Sequence, residues 1–257
     1  VLANSLSARN CYSVLLIEQG KRDSSPLLRM PKGFGAVLAG EEYVSRYPVT
    51  RAANEASTEV WLRGKTLGGS SSVNGMIWLR PQAEGFSALT RAGGETWSWS
   101  RMEPYFHRLD GTGTKDGIIP VAPHSDQYDI TEAFIDASCA TGLVRHDRLS
   151  ELGQNGTGHL HFNIDQRGKR RSAATAFLRP VRKRANLHIE TGVLANKLVF
   201  EGKRASAIVC RRGKQEITYT AKREIILCAG ALESPQILQR SGIGPAALLE
   251  KLGIPVV

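Results

Sequence analysis

No apolar run in this sequence is long enough to cross a bilayer, and no basic-then-apolar leader opens it. A membrane-spanning segment and a signal peptide are therefore not expected; a cytoplasmic location is, with membrane association left open. Cysteine is scarce: Cys11, Cys139, Cys210 and Cys228 are scattered without paired spacing. That argues against a zinc site or a disulfide framework and suits a reducing compartment. Aromatic residues make up only 7% of the chain, and few interleave with its basic clusters, so stacking platforms for nucleic acid are missing. Acidic residues number 24 against 34 lysines and arginines, leaving a net charge of +10. Much of the excess lies at 167–171 (RGKRR) and 179–184 (RPVRKR). The expectation is a solvated basic face that binds no nucleic acid, although such charge can draw in anionic substrates or partners.

A chain of 257 residues can bury a sizeable core and holds one large or two modest domains. Its most unusual stretch is 63–80, RGKTLGGSSSVNGMIWLR. Gly68 and Gly69 remove two Cβ atoms, so the backbone can approach a ligand or adopt positive φ at little steric cost. Ser70, Ser71, Ser72 and Asn74 supply hydroxyl and amide groups, and the N–H groups here can open a helix and receive phosphate. A Gly/Ser turn capping an ordinary helix explains the same composition.

The run RGKTLGGSSSVNGM resembles the first signature of the glucose–methanol–choline (GMC) family of flavoprotein oxidoreductases. A second run at 230–244, GALESPQILQRSGIG, resembles the second signature of that family. Flanking stretches at 14–20, 31–35, 97–106 and 172–191 are similar as well, so the resemblance covers nearly the whole chain. Positions 85–89 depart from it. Gly85, Phe86, Ser87 and Leu89 stand where members carry an acidic-aromatic-acidic run and a tryptophan, which weakens the expected packing between two domains.

Along the chain, 1–9 suits the end of a helix, and Cys11 to Ile17 is a short apolar run ending in Glu18. Helix, turn, apolar strand and terminal acid form the second half of a βαβ dinucleotide unit. The first half, with its G-x-G-x-x-G loop, would lie before Val1. The segment 21–47 reads as a long connection broken by Gly33, Gly35 and Gly40. A helix is expected over about 102–109, and a loop over 111–123. The segment 130–141 predicts a helix with Ile130, Phe134, Ile135 and Ala137 on one face and Gly142 as its stop. Residues 143–158 are polar and glycine-rich, 160–165 alternate, and 172–178 predict a helix blocked by Pro180. From 186 the pattern is β: strands near 187–191, 193–200, 205–210, 217–220 and 224–227 predict a meander appended to the nucleotide sheet. A tight turn at 229–231 then precedes a helix with Ser234 as N-cap and Pro235 at its first position.

The expected fold is α/β with mixed α+β content: an incomplete Rossmann-like FAD-binding domain interrupted by a substrate-side domain. Its expected parts are 1–85 (cofactor domain, first part), 86–184 (substrate side) and 185–257 (cofactor domain, second part). The resemblance implies FAD as cofactor, a small-molecule alcohol as substrate, oxidation of its CH–OH group by hydride transfer to flavin, and an electron acceptor such as oxygen or a quinone. It implies that Glu18, otherwise a solvated acid at a strand end, takes the adenosine ribose. Lys65, Thr66, Gly68, Gly69 and Ser70 would line the ring-to-phosphate region, Asn74, Gly75 and Met76 would face the flavin, and Ala195 would replace a valine whose backbone meets adenine. Ala229 and Gly230 would come near the flavin or its diphosphate, in a largely structural second signature.

The histidine pair of the family, or histidine with asparagine, would fall beyond Val257, so no catalytic residue is assigned. None of His107, His124, His146 and His188 has the required context. His159 and His161 share a strand face but lack a third ligand, so no metal is expected. The chain is expected to be inactive by itself, as the middle of a longer oxidoreductase. A flavin-containing lyase of the same family and a basic polyanion-binding module on a relic fold remain alternatives.

Overall fold

The computed structural model describes residues 1–50, 59–110, 117–123, 128–149 and 156–257. Helix α1 (Leu2–Ser7) leads through a turn into strand β1 (Val14–Glu18), the apolar run read from the sequence. The first departure follows. Where the sequence predicts only a connection, helix α2 (Phe34–Ala39) forms with Gly35 inside it. Val37 of α2 buries against Leu28, Val44 and Val73, and that packing outweighs the helix cost of a glycine, about 1 kcal/mol. Strands β2 (Val44–Pro48) and β3 (Val60–Gly64) form an antiparallel pair running from Val44↔Gly64 to Pro48↔Val60.

Helix α3 (Phe86–Gly93) and helix α4 (Trp99–Asp110) meet through the rings of Phe86, Trp99 and Phe106, whose centroids lie 5.3–6.2 Å apart. Helix α4 starts three residues before the predicted 102. Asp110 at its end accepts from Trp78 Nε1 (2.9 Å) and Arg80 Nε (2.7 Å), so the strip after the first signature is pinned to α4.

Strand β4 (Ala122–Pro123) precedes helix α5 (Asp129–Ala140), followed by β5 (Val144–Arg145), β6 (Gly156–Thr157) and β7 (His161–Phe162). Helix α5 ends as predicted, with Gly142 at φ +96°. Its buried face differs from the predicted one: Ile135 is 1% exposed, whereas Ile130 is 77% and Phe134 70% exposed. Ile130 and Phe134 lie four apart on one stripe, and it is the neighbouring stripe that faces protein. The predicted helix at 172–178 forms as a wider π turn, Ala174–Leu178, with all five residues buried. Pro180 withholds the N–H that an α-helix would give to Ala176 O.

Strand β8 (Leu187–Thr191) pairs in parallel with β1, Val14↔Leu187 through Glu18↔Thr191. This is the α/β signature, two strands joined by a long crossover. Strands β9 (Leu194–Glu201), β10 (Arg204–Arg212) and β11 (Gln215–Thr220) form the antiparallel meander expected, in the order β11-β10-β9. The predicted strand at 224–227 has no ladder partner among the described residues. Ile225 and Leu227 instead pack on the core between the meander and helix α6 (Gly230–Arg240). That core centres on Val193, Leu198, Ile208, Cys210 and Ile237, with Val193 and Cys210 fully buried.

Helix α6 begins four residues before the predicted N-cap and carries Pro235 in its interior. Ser234 Oγ still meets the helix start, accepting from Ala229 N–H at 3.1 Å, but from inside the helix. Helix α7 (Ala246–Lys251) follows, with Leu249 fully buried.

The basic clusters are not one solvated face. Arg170 is 3% exposed, Arg179 pairs with Asp23 at 3.3 Å, and Arg184 Nη1 donates to Asn4 O (2.7 Å) and Ser7 Oγ (2.9 Å) of α1. Arg167, Lys169, Arg182 and Lys183 do face solvent. The cations sort by what packs beside them, which spacing in a basic run does not encode.

Candidate functional site

The candidate site is built around the C-terminal end of β1, where ligands of parallel α/β sheets bind. Glu18 closes this strand, and its Oε1 accepts from Gly20 N–H at 2.8 Å. Burial pushes the Glu18 carboxyl up to about 7, against the smaller downward pull of that hydrogen bond. Glu18 O accepts from Val193 N–H at 3.1 Å, which brings the start of β9, and with it Ala195, to the same strand end.

The first signature reaches this point through glycine. A Cβ on Gly20 would lie 1.9 Å from Lys65 O, and one on Gly64 would lie 2.3 Å from the Gly69 carbonyl, so two backbone crossings exist only because those side chains are missing. Lys65 N–H donates to Tyr43 O (2.7 Å), and Leu67 N–H to Lys21 O (3.2 Å). Thr66 is fully buried, and its hydroxyl donates to Lys21 O at 2.9 Å, so its side chain fastens the loop to the strand end.

Beyond Leu67 the backbone makes one tight 3-10 turn, Gly69–Ser72, instead of opening a longer helix. Gly68 (φ +88°) packs its bare face on Ser72 Oγ and Ala174; Gly69 (φ +55°) and Gly75 face open space, with nothing within 4 Å of where a Cβ would stand. Ser70 is exposed, and its Oγ accepts from Gly64 N–H at 3.1 Å. Asn74 is exposed, and its Oδ1 accepts from Met76 N–H at 3.1 Å. Met76 is the unusual residue of the turn: its side chain is 4% exposed and its φ is +64°, left-handed for a non-glycine.

The second signature is tied to the same region from the other side. Ile237 of α6 buries against Val193 and Leu198. Glu233 accepts from Tyr47 Oη at 2.6 Å, joining α6 to the β2–β3 pair that leads into the first signature. Ala229 and Gly230 (φ +88°) are exposed at the head of α6, and the Gly230 Cβ direction is also open. Gly69, Gly75 and Gly230 thus each present a face with no neighbouring atom, and Glu18 is half-buried at the end of β1.

Sequence reasoning singled out neither Gly64 nor Tyr47 nor Arg170. Gly64 had a signal, lying one residue before the Lys65-Thr66 pair at the end of an apolar strand. Arg170 had none that separates it from its basic neighbours.

The histidines lie elsewhere. His107 sits 3.8 Å from Glu103 on α4, and His188 is exposed on β8. His124 lies outside the described residues. His146, His159 and His161 line a cavity of about 260 Å³ with Glu132, Arg145 and Asp147. Glu132 there already holds His159 Nε2 at 2.5 Å and Arg145 at 2.9 Å, which keeps its carboxyl below the usual range. No metal-holding group of three His, Cys, Asp or Glu residues occurs among the described residues.

The sequence profile of the family described as GMC oxidoreductase matches residues 13–255. The oxygen-dependent choline dehydrogenase of Pectobacterium carotovorum subsp. carotovorum is 38% identical over 269 residues, covering all of this chain and 48% of that relative. Among solved structures, pyridoxine 4-oxidase from Mesorbium loti superposes with a TM-score of 0.91 at 33% identity, covering 100% of this chain and 52% of the other. An FAD-dependent oxidoreductase from Chaetomium thermophilum superposes with a TM-score of 0.87 at 28% identity, covering 99% and 47%. The chain thus spans about half the length of the curated relatives it matches.

Proposed function

The chain belongs to the GMC oxidoreductase family, and on that footing we propose that it carries the FAD-holding part of an enzyme that oxidises the CH–OH group of a small alcohol of the choline type. The observation that carries this reading is that the glycines of both signatures, at 69, 75 and 230, keep open faces, while Glu18 ends the parallel strand β1. Residues 1–85 and 185–257 form the cofactor part, and 86–184 the substrate side.

Bound FAD would supply the acceptor for the hydride, which carries both electrons away from the alcohol carbon. The protein's task is to bind and orient. Glu18 in its ionised form accepts from ribose hydroxyls. Ala195 offers backbone to the adenine. The Lys65–Ser70 turn presents cation, N–H and hydroxyl groups to the diphosphate, while Asn74, Gly75 and Met76 meet the ring system. Ala229 and Gly230 approach from the opposite signature. Proton removal from the substrate is assigned to no histidine of this chain. Reoxidation falls to oxygen, a quinone or another acceptor.

Equilibrium dialysis of the folded chain against FAD tests the reading, with saturable uptake expected. A folded chain that takes up no flavin and is retained on heparin in a salt-dependent way overturns it in favour of the polyanion-binding alternative. In the whole enzyme, aldehyde release without consumption of an electron acceptor would identify the lyase alternative.

A further inference from the structure

Arg170 lies outside both signatures, yet it is the most deeply buried cation near the first. It is 3% exposed, and its Nη1 donates to Asn74 Oδ1 at 2.8 Å and to Ser71 O at 3.3 Å. Its own N–H donates to Arg29 O, while Arg171 N–H donates to Asn163 O and Asn163 N–H to Met76 O (3.0 Å), so this strip braces the loop from below. Its Nε and Nη2 are buried and have no hydrogen-bond partner among the described residues. No carboxylate contacts it among the described ion pairs. Burial lowers its pKa to about 10, which leaves it charged at neutral pH. A buried cation without a counter-charge is a costly arrangement, most often kept where a site needs it.

The oxygen of Asn74 accepts two hydrogen bonds, from Arg170 Nη1 and from Met76 N–H. An amide oxygen has two lone pairs, so this one is filled. The hydrogen bonds therefore decide which end of the amide turns inward. The Nδ2 end, with its two donors, is left for the exposed side. We propose that Arg170 is a positioning residue: it locks the Asn74 amide so that Nδ2 donates toward the bound flavin, and it holds the left-handed turn at Met76 in place. This rests on the FAD reading above. The substitution Asn74→Asp would give Arg170 a counter-charge that no carboxylate among the described residues supplies and would remove both donors, so stability and flavin binding pull this position in opposite directions.

Three variants of the whole chain test this: Asn74→Asp, Arg170→Met and Arg170→Lys. Without FAD, Asn74→Asp is expected to melt about 2–4 °C higher than the parent. Its FAD dissociation constant is expected to rise about tenfold or more. Arg170→Met is expected to weaken FAD to a similar degree and to shift the visible absorption bands of bound flavin. Arg170→Lys, which keeps a charged donor, should restore part of both. The proposal is overturned if Asn74→Asp is no more stable than the parent, or if Arg170→Met binds FAD with the parental constant and spectrum. A parent that binds no FAD sinks the cofactor reading alone, because the melting shift of Asn74→Asp is read without flavin. The same shift decides the matter if Arg170→Met fails to fold.

Discussion

Tyr47 Oη donates to Glu233 Oε1 at 2.6 Å, so a strand beside the first glycine-rich signature and the helix of the second are held by one hydrogen bond across 186 residues of sequence. Burial, with Glu233 adding to it, pushes the Tyr47 hydroxyl up to about 12. The phenol is thus a donor throughout the physiological range. Tyr47→Phe removes the donor and leaves Glu233 with Arg240 at 3.5 Å. The expected loss is about 1.5–3 kcal/mol, the range for hydrogen bonds to charged groups, read from the midpoint of chemical denaturation.

Glu18 makes stability and cofactor affinity respond to pH in opposite senses. Its carboxyl titrates near 7 when folded and near 4.5 in its ordinary state. Between those values the folded chain holds the extra proton, so stability falls as pH rises through this window. Glu18→Gln should flatten that fall in denaturation midpoints measured from about pH 4.5 to 8. Ribose hydroxyls donate best to the ionised carboxylate. FAD affinity in the parent should therefore weaken as pH is lowered through about 7, and Glu18→Gln should bind weakly at every pH, as titration of flavin fluorescence would register.

The glycines of the first signature should separate into two groups under alanine substitution. Gly64→Ala drives a methyl to 2.3 Å from backbone, where no side chain can yield, so the chain is expected to lose more than about 3 kcal/mol or to accumulate as insoluble protein. Gly75→Ala meets open space at an ordinary φ and should stay within about 0.5 kcal/mol of the parent in a thermal melt. Its FAD dissociation constant should nonetheless rise, because the methyl occupies the face assigned to the ring.

The basic run at 179–184 should prove uneven. Arg184→Met removes donors from Asn4 O and Ser7 Oγ at the end of α1 and should cost about 1–3 kcal/mol. Arg182→Ala, at an exposed neighbour, should fall within about 0.5 kcal/mol of the parent. Equal effects at the two positions would contradict the division described here.

These contrasts mark what the sequence reveals and what it withholds. The end of β1 at Glu18, the stop of α5 at Gly142 and the meander from 194 to 220 are all written in local signals: an apolar run with a terminal acid, a glycine after a periodic stretch, and alternation broken by turns. The two signatures are legible by resemblance. Composition does not reveal what meets a missing Cβ. Gly64 and Gly68 abut protein, Gly69 and Gly75 face open space, and all four look alike in the sequence. The start of α6 differs from the expected one because Ser234 has the chemistry of an N-cap yet reaches Ala229 N–H from within the helix. The buried stripe of α5 and the burial of Arg170 depend on partners far along the chain, which no local pattern records.

Cys210, fully buried in the middle strand of the meander with its thiol pushed upward by burial, stands apart from the exposed Cys11 and Cys228. A thiol reagent should modify Cys11 and Cys228 first and the half-buried Cys139 next, and reach Cys210 only when α6 lifts from β9 and β10. The slow step in alkylation, followed by mass spectrometry, is then a clock for opening of the core on which the second signature rests.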